Sequence, residues 1–375
     1  GEPVPSPVLP KKADEDDLWI DVVHNINIQA KDSDRDLRRM QSSGNHPVAE
    51  IYRAVKNDTP LTSQRLKDGS LELKMLHERL PHLYIDDDGL LKLRVVHNNS
   101  ARVCVVCPPS YRQDTVWKTH TLAHYGIRKT LDRIRLNWYW PGMTAEIRRQ
   151  VLSCEKCQLG KGGNQTQTRG RRRLFSGRPW ETVAVDLLGP LPQTEQGNQW
   201  VLVLTDHFTR WQDAIALTDS TTATVARILE ERVFCYLGIP EKLHSDQGPQ
   251  FESKLLEELC QLWGIEKIRT TPYHPQANGM VERNNRVLGD ALRSLLINRP
   301  EEDWDILLPH VMRALRATPH SFTKETPNFM MMGREVRLPD QLTHPSAYKS
   351  KTSIEHSTQL QEVMENTHGI IREMQ

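Results

Sequence analysis

Three acids constrain this chain more than any other feature. Asp186 stands inside the apolar run TVAVDLL, Asp246 closes the strand-like segment EKLHSD, and Glu282 falls in the first turns of the helix-forming stretch NGMVERNNRVLGDALRSLL. A carboxylate among strand apolars is costly to bury alone, so the fold must supply Asp186 with something that stabilises its charge. The surrounding pattern shows how. WETVAVDLL, QWVLVLTD and DAIALT read as three short strands, and Thr221 to Leu237 as a helix with Val225, Leu229, Val233 and Leu237 on one face. EKLHSD then reads as a strand, SKLLEELCQLWG as a helix, IEKIRTT as a strand, and a long helix starts near Asn278. Three strands followed by helix, strand, helix, strand, helix predict an α/β unit with a mixed sheet flanked by helices. A right-handed crossover would lay the fourth strand along the first and make Asp186 and Asp246 neighbours.

Converging carboxylates repel one another unless cations neutralise them. Hard oxygen ligands with open positions suit magnesium or manganese, and two such ions about 4 Å apart clamp an in-line displacement at phosphorus. Asp186, Asp246 and Glu282 are therefore the candidate metal ligands and catalytic residues of a polynucleotide phosphoryl-transfer site.

A second metal pattern lies upstream. His120 and His124 are spaced i, i+4 on an expected helix, which would project both imidazoles from one face, and Cys154 and Cys157 add a CxxC pair. Two nitrogens and two thiolates complete a tetrahedral zinc shell with no position left for water, so the site reads as one structural zinc. Cys104 and Cys107 also form a CxxC, but VCVVC is apolar and strand-like with no ligand pair beside it, and these read as core thiols.

Formal net charge is only +1, yet charge is unevenly placed: Gly160 to Arg178 holds six basic residues and no acid, whereas Asp14 to Asp17 is wholly acidic. Arg171, Arg172 and Arg173 are candidate phosphate contacts, and the same RGRRR also reads as a nuclear localisation signal. No run of about 18 uninterrupted apolar residues is present, which argues against a membrane span and for an intracellular protein. The first residue is Gly1 rather than Met, as in a polyprotein product or an excised fragment. The expected division is a linker at 1–45 with a short helix around Trp19, a small mixed domain at 46–110, a zinc-binding helical domain at 111–160, a basic linker at 161–178, a catalytic core with trailing helices at 179–345, and an isolated charged helix or linker at 346–375.

These motifs in this order (HTLAHYG with CEKC, VDLLGP, LVLTDHFTRW, HSDQGPQF, TTPYHPQANGMVER and MMMGREVRLP) make the chain resemble a retroviral-type integrase, most similar to those of gypsy-type long-terminal-repeat retrotransposons. Thirty-five residues separate Asp246 from Glu282, the interval of that family's second and third catalytic acids. The resemblance implies a ribonuclease H-like mixed-sheet core preceded by a helical His-His-Cys-Cys zinc domain and a small α+β amino-terminal extension. It implies 3′-end processing and strand transfer of retroelement DNA by two magnesium or manganese ions, with one structural zinc. Tyr273, His274, Gln276 and Asn278 would meet the DNA end, with Arg283 and Arg286 extending that surface. Implied partners are double-stranded DNA, both element ends and target, and further copies of the chain, with no membrane and no small-molecule substrate, in the nucleus after a cytoplasmic particle stage. Family members usually continue into a small β-barrel DNA-binding domain, of which the sequence shows no trace. An alternative is a domesticated or truncated relative that binds nucleic acid or protein without turnover. A ribonuclease H-type nuclease would share the fold and leave the zinc module unexplained.

Overall fold

The computed structural model describes residues 34–97, 100–160, 176–246, 248, 250–269, 279–336, 338 and 353–374. Its amino-terminal part begins with helices α1 (Asp34–Ser42), α2 (Pro47–Lys56), α3 (Ser63–Asp68) and α4 (Leu71–His77), then strands β1 (Leu83–Ile85), β2 (Leu91–His97) and β3 (Ser100–Val106). Leu91 and Leu93, two apart on β2, turn to the same face and pack with Val48, Ile51, Leu73 and Leu76. The apolar spacing of SLELKMLHERLPHLYI is helical throughout, but Pro81 helps to end the helix: Leu80–His82 tightens to a 3₁₀ turn, and Leu83–Ile85 leaves as a strand pairing with β2.

The expected linker at 1–45 is too long. Leu37 and Gln41 of α1 are buried, and the Gln41 side chain donates to the carbonyls of Leu91 (3.1 Å) and Val106 (2.7 Å) and accepts from Leu91 N (2.8 Å). One amide thus satisfies backbone groups of two strands, which binds α1 to the sheet. Trp19 and its expected helix lie outside the described residues.

The expected boundary at 110/111 also falls inside one unit. Helices α5 (Pro109–Thr121) and α6 (Ile127–Ile134) lead to β4 (Trp138–Tyr139), followed by α7 (Met143–Leu152) and α8 (Glu155–Gly160). β4 pairs in parallel with β3, Val105 opposite Trp138, so the zinc-domain segment supplies the fourth strand of the extension's sheet. Their cores merge accordingly: Leu37, Leu90 and Val105 share one cluster with Val116, Ile147 and Val151.

Strands β5 (Thr182–Leu188), β6 (Trp200–Asp206) and β7 (Gln212–Leu217) form an antiparallel meander. A helical passage follows, α9 (Thr222–Ile228) running through a π-helical stretch at Leu229–Phe234 into α10 (Cys235–Leu237), and returns the chain to β8 (Lys242–Ser245). Helix α11 (Lys254–Trp263) then leads to β9 (Glu266–Arg269). Sheet order is β7-β6-β5-β8-β9, with β8 parallel to both β5 and β9. Val183, Val185, Leu202 and Leu204 face Val225, Leu229 and Leu256 on one side. Val201 and Val203 face the other side, towards α12 (Gly279–Leu296) and α13 (Trp304–Arg316). This is the mixed sheet flanked by helices that the strand and helix order predicts, in the ribonuclease H-like arrangement that the resemblance implies.

Two further boundary expectations change. Of the basic linker 161–178, Ser176–Arg178 belong to the folded core: Ser176 is buried, Gly177 N donates to Glu181, and Arg178 pairs with Glu241. The closing helix is not isolated. After α14 (Pro327–Met332), α15 (Ser353–Met374) buries Ile371 against Phe208 and Met330, and Arg372 donates to Gly177 O at 2.6 Å. Replacing Gln41 by Ala should cost about 2–3 kcal/mol, because three buried backbone groups lose their partner. Urea unfolding of both chains measures it, and an unchanged midpoint would mean α1 is dispensable.

Candidate functional site

Asp186 and Asp246 are brought together by strand pairing. β5 and β8 run parallel in the register Thr182↔Lys242 to Val185↔Ser245, so the next residue along each is one of the two acids. Both therefore emerge at the carboxyl ends of adjacent strands, where open α/β sheets place their ligand crevices. Glu282 comes from the first turn of α12 and is exposed. Burial pushes the Asp186 carboxyl above the usual carboxylate range, the Asp246 charge raises it further, and Glu282 adds to the effect. The three acids are thus electrostatic neighbours. Their oxygens stand farther apart than a single ligand shell: among the described residues, the one group of three or more His, Cys, Asp or Glu donors within 4.8 Å of one another is the zinc set.

Sequence reasoning missed Asn285. Its amide donates to Asp186 Oδ2 at 2.6 Å, and Leu187 N donates to Asp186 Oδ1 at 3.0 Å. Lying three residues after Glu282, it shares that acid's helix face, so one helix presents both the third carboxylate and a neutral donor to the first. That spacing was visible in VERNNR, but nothing in the sequence says that the face meets β5.

Asp206 is another strand-end carboxylate and lies elsewhere. Because β6 is antiparallel to β5, Asp206 pairs with Val183 while Asp186 pairs with Val203. It accepts from Thr209 N (2.8 Å), Thr209 Oγ1 (2.6 Å) and Trp180 N (3.2 Å), and burial raises it to about 6. These bonds hold the turn after β6 and make its role architectural.

His120, His124, Cys154 and Cys157 converge. Cys157 Sγ lies 3.4 Å from His120 Nε2 and 3.6 Å from His124 Nδ1, and Cys154 Sγ lies 3.5 Å from His124 Nδ1. Tetrahedral bonds of about 2.1 Å to nitrogen and 2.3 Å to sulfur separate such ligands by roughly 3.6 Å, so the set fits zinc. His120 Nδ1 stands 2.9 Å from Tyr125 O, which assigns the proton to Nδ1 and leaves Nε2 to face the thiols. The single-helix expectation is corrected. α5 ends at Thr121, and His124 adopts a left-handed backbone with φ of 45°, so a turn, not an i, i+4 ladder, aims its ring. Cys104 and Cys107 are buried core thiols; Cys104 Sγ faces Arg135 O at 3.5 Å, and burial drives the Cys107 thiol upward.

Arg283 and Arg286 are exposed on α12 beside Glu282. Tyr273, His274, Gln276, Asn278, Arg171, Arg172 and Arg173 lie outside the described residues. No described helix is long and apolar enough to cross a membrane.

A family model described as the integrase zinc binding domain matches residues 107–162, and one described as the integrase core domain matches residues 177–275. The chain carries an integrase zinc binding domain followed by an integrase core domain. Its integrase core extends in the structure past the matched stretch, since Glu282 and Asn285 lie beyond residue 275. Similar curated proteins include Gypsy retrotransposon integrase-like protein 1 of Bos taurus, 30% identical over 59% of this chain and 43% of that protein. The Pro-Pol polyprotein of feline foamy virus is 32% identical over 62% of this chain and 20% of its own length. The Pol polyprotein from transposon 412 of Drosophila melanogaster is 30% identical over 58% and 17%. The chain thus spans less than half the length of these relatives. A solved intasome of simian T-cell lymphotropic virus with a PP2A regulatory subunit overlaps 64% of this chain and 78% of its own at 18% identity and a TM-score of 0.43, too loosely to carry an argument.

Two outcomes follow from the site and its surroundings. The purified chain should carry about one zinc, and Cys154→Ser should lose it and lower the thermal midpoint; equal zinc content by elemental analysis would sink the ligand assignment. The second concerns pH. Buried His207, beside His244 and Arg210, is lowered to about 3, and half-buried His320, near Arg210, Lys129 and Arg283, is likewise lowered by desolvation to about 3. Unfolding lets both rings take up protons once the pH is below about 6.5, so stability should fall from there downward by up to about 1.4 kcal/mol per pH unit for each ring. His207→Gln with His320→Gln should flatten that acid limb in urea unfolding between pH 7.5 and pH 5.

Proposed function

We propose that this integrase-family chain is an active DNA integrase, trimming the 3′ ends of retroelement DNA and joining them to target DNA in the nucleus, as a multimer on paired ends. The observation that carries the reading is the placement of Asp186 and Asp246 at the ends of adjacent parallel strands, with Glu282 close enough to perturb Asp186.

The donor set suits divalent cations. Asp186 is a carboxylate whose negative neighbours and burial both disfavour its charge, a penalty that magnesium or manganese would relieve. Asp186, Asp246 and Glu282 would hold two such ions, which when bound supply activation of an attacking oxygen and stabilisation of the leaving oxygen. The rest falls to the chain itself. Asn285 fixes the rotamer of Asp186, and because it sits on the Glu282 helix it also fixes the distance between that helix and β5. Arg283 and Arg286 give the exposed side of α12 two cations that fit phosphate oxygens flanking the reacting bond. His120, His124, Cys154 and Cys157 would hold one structural zinc. Similarity to transposon and foamy-virus Pol polyproteins supports element-end and target DNA as substrates.

A strand-transfer assay with short duplex ends and manganese tests this. Wild type should form joined product, Glu282→Gln should reduce it below detection, and Asn285→Ala should lower it by roughly 10–100-fold, as loss of a ligand-orienting partner does. Equal product from wild type and Glu282→Gln would sink the metal-site assignment. No product from either would favour a chain that binds without turnover.

A further inference from the structure

A cavity of about 690 Å³ opens where the extension sheet, the zinc domain and the segment after α13 meet. Its floor is apolar and aromatic, with Leu131, Trp138, Trp140 and Met143 from the zinc domain and Val95 from β2. Around it stand exposed Arg79 after α4, Arg128 and Arg135 on α6 and at its carboxyl end, and Lys324 after α13, with Asp132, 3.8 Å from Arg128, the single acid among the lining residues. An apolar floor inside a basic rim calls for a ligand that is both acidic and bulky-apolar. Bare phosphate backbone would leave the floor unfilled.

The sequence contains such a ligand. ADEDDLWIDVV, residues 13–23, carries Asp14, Glu15, Asp16, Asp17 and Asp21 around Leu18, Trp19, Ile20, Val22 and Val23. We propose that the groove is the docking site of this segment, Asp14–Val23, with Trp19 as the anchor and its acids on the rim. The tether is favourable. α1 begins at Asp34, and its Leu37 packs in the same cluster as Leu131, Trp138 and Met143, so the chain enters the fold close to the residues that floor the groove. Eleven residue steps separate Val23 from Asp34 and span up to roughly 35 Å. A tethered ligand this close has a high effective concentration, so modest contacts suffice.

Docking has a physical consequence. The groove is walled by three parts of the chain, and a segment seated in it fastens the zinc domain to both neighbours. It also covers cations otherwise available to phosphate, so the acidic segment acts as an internal competitor for polyanions at that rim. Burial of Leu18, Trp19 and Ile20 supplies most of the stabilisation; exposed ion pairs at the rim add little each and set orientation.

Hydrogen exchange on the full chain tests this. In the wild type, amides of 14–23 and of 128–144 should both be protected. Leu18→Ser, Trp19→Ser and Ile20→Ser together should raise exchange at both places by roughly tenfold or more. Arg128→Glu with Arg135→Glu should do the same, and adding Asp16→Lys and Asp17→Lys should restore protection. Exchange of 14–23 at the rate of an unstructured peptide, or a groove indifferent to the triple substitution, would overturn the proposal. Protection that rises with protein concentration would assign the groove to the segment of a second copy and overturn docking within one chain. Groove protection seen only with added duplex DNA would overturn it in favour of a nucleic-acid surface.

Discussion

The parallel pairing of β5 with β8 is the constraint on which the site depends. β5 occupies the middle of five strands, with β6 antiparallel on one side and β8 parallel on the other. A strand covered on both faces must be apolar nearly throughout, which is why Val183, Ala184 and Val185 are all buried and why the first polar side chain after them is conspicuous. That side chain is Asp186. Because the helical passage through α9 and α10 returns the chain in the same direction, Asp246 reaches the same sheet end. A reversed β8 would have carried its acid to the opposite end, where Asp206 sits among the bonds that hold its own turn.

Holding two carboxylates side by side in a half-dry crevice costs free energy, and the structure distributes the compensation. Leu187 N and the Asn285 amide donate to Asp186, and Gly248 N donates to Asp246 at 3.0 Å. The Asn285 bond also ties α12 to the central strand, so the helix that carries Glu282 is positioned by the carboxylate it serves. The His-Cys cluster plays a similar organising part at a distance. The turn it closes, Leu122 to Tyr125, packs with Leu288, Leu292 and Val311 of α12 and α13, and buried Arg133 donates to the carbonyl of Ala317. The zinc domain is therefore built into the molecule from both sides, sharing a sheet with the extension and a core cluster with the integrase core domain.

Much of this was legible because period-two and period-3.6 patterns survive wherever a strand or helix has one kind of environment per face. WETVAVDLL, QWVLVLTD and DAIALT fall on β5, β6 and β7, and Val225, Leu229 and Val233 do line the buried side of their helical passage. Errors gathered where local pattern and long-range pairing disagree. SLELKMLHERLPHLYI keeps helical spacing through Leu80 while its last residues pair with β2, and α1 hides in a charge-rich stretch because, among its described side chains, just Leu37 and Gln41 are buried. His120 and His124 have helical spacing, yet the helix stops between them and a left-handed residue aims the second ring.

What the sequence determined by itself was chemical kind and order: which acids, histidines and thiols can hold metals, which segments are strands, and in what succession they come. Side-chain type and periodicity are properties of neighbouring residues, so they can be read locally. Only the tertiary structure decided who meets whom. Asn285 on Asp186, β4 beside β3, Gln41 across two strands and α15 against Phe208 join residues roughly 30 to 165 positions apart, and such contacts are set by pairing register and packing of the whole chain.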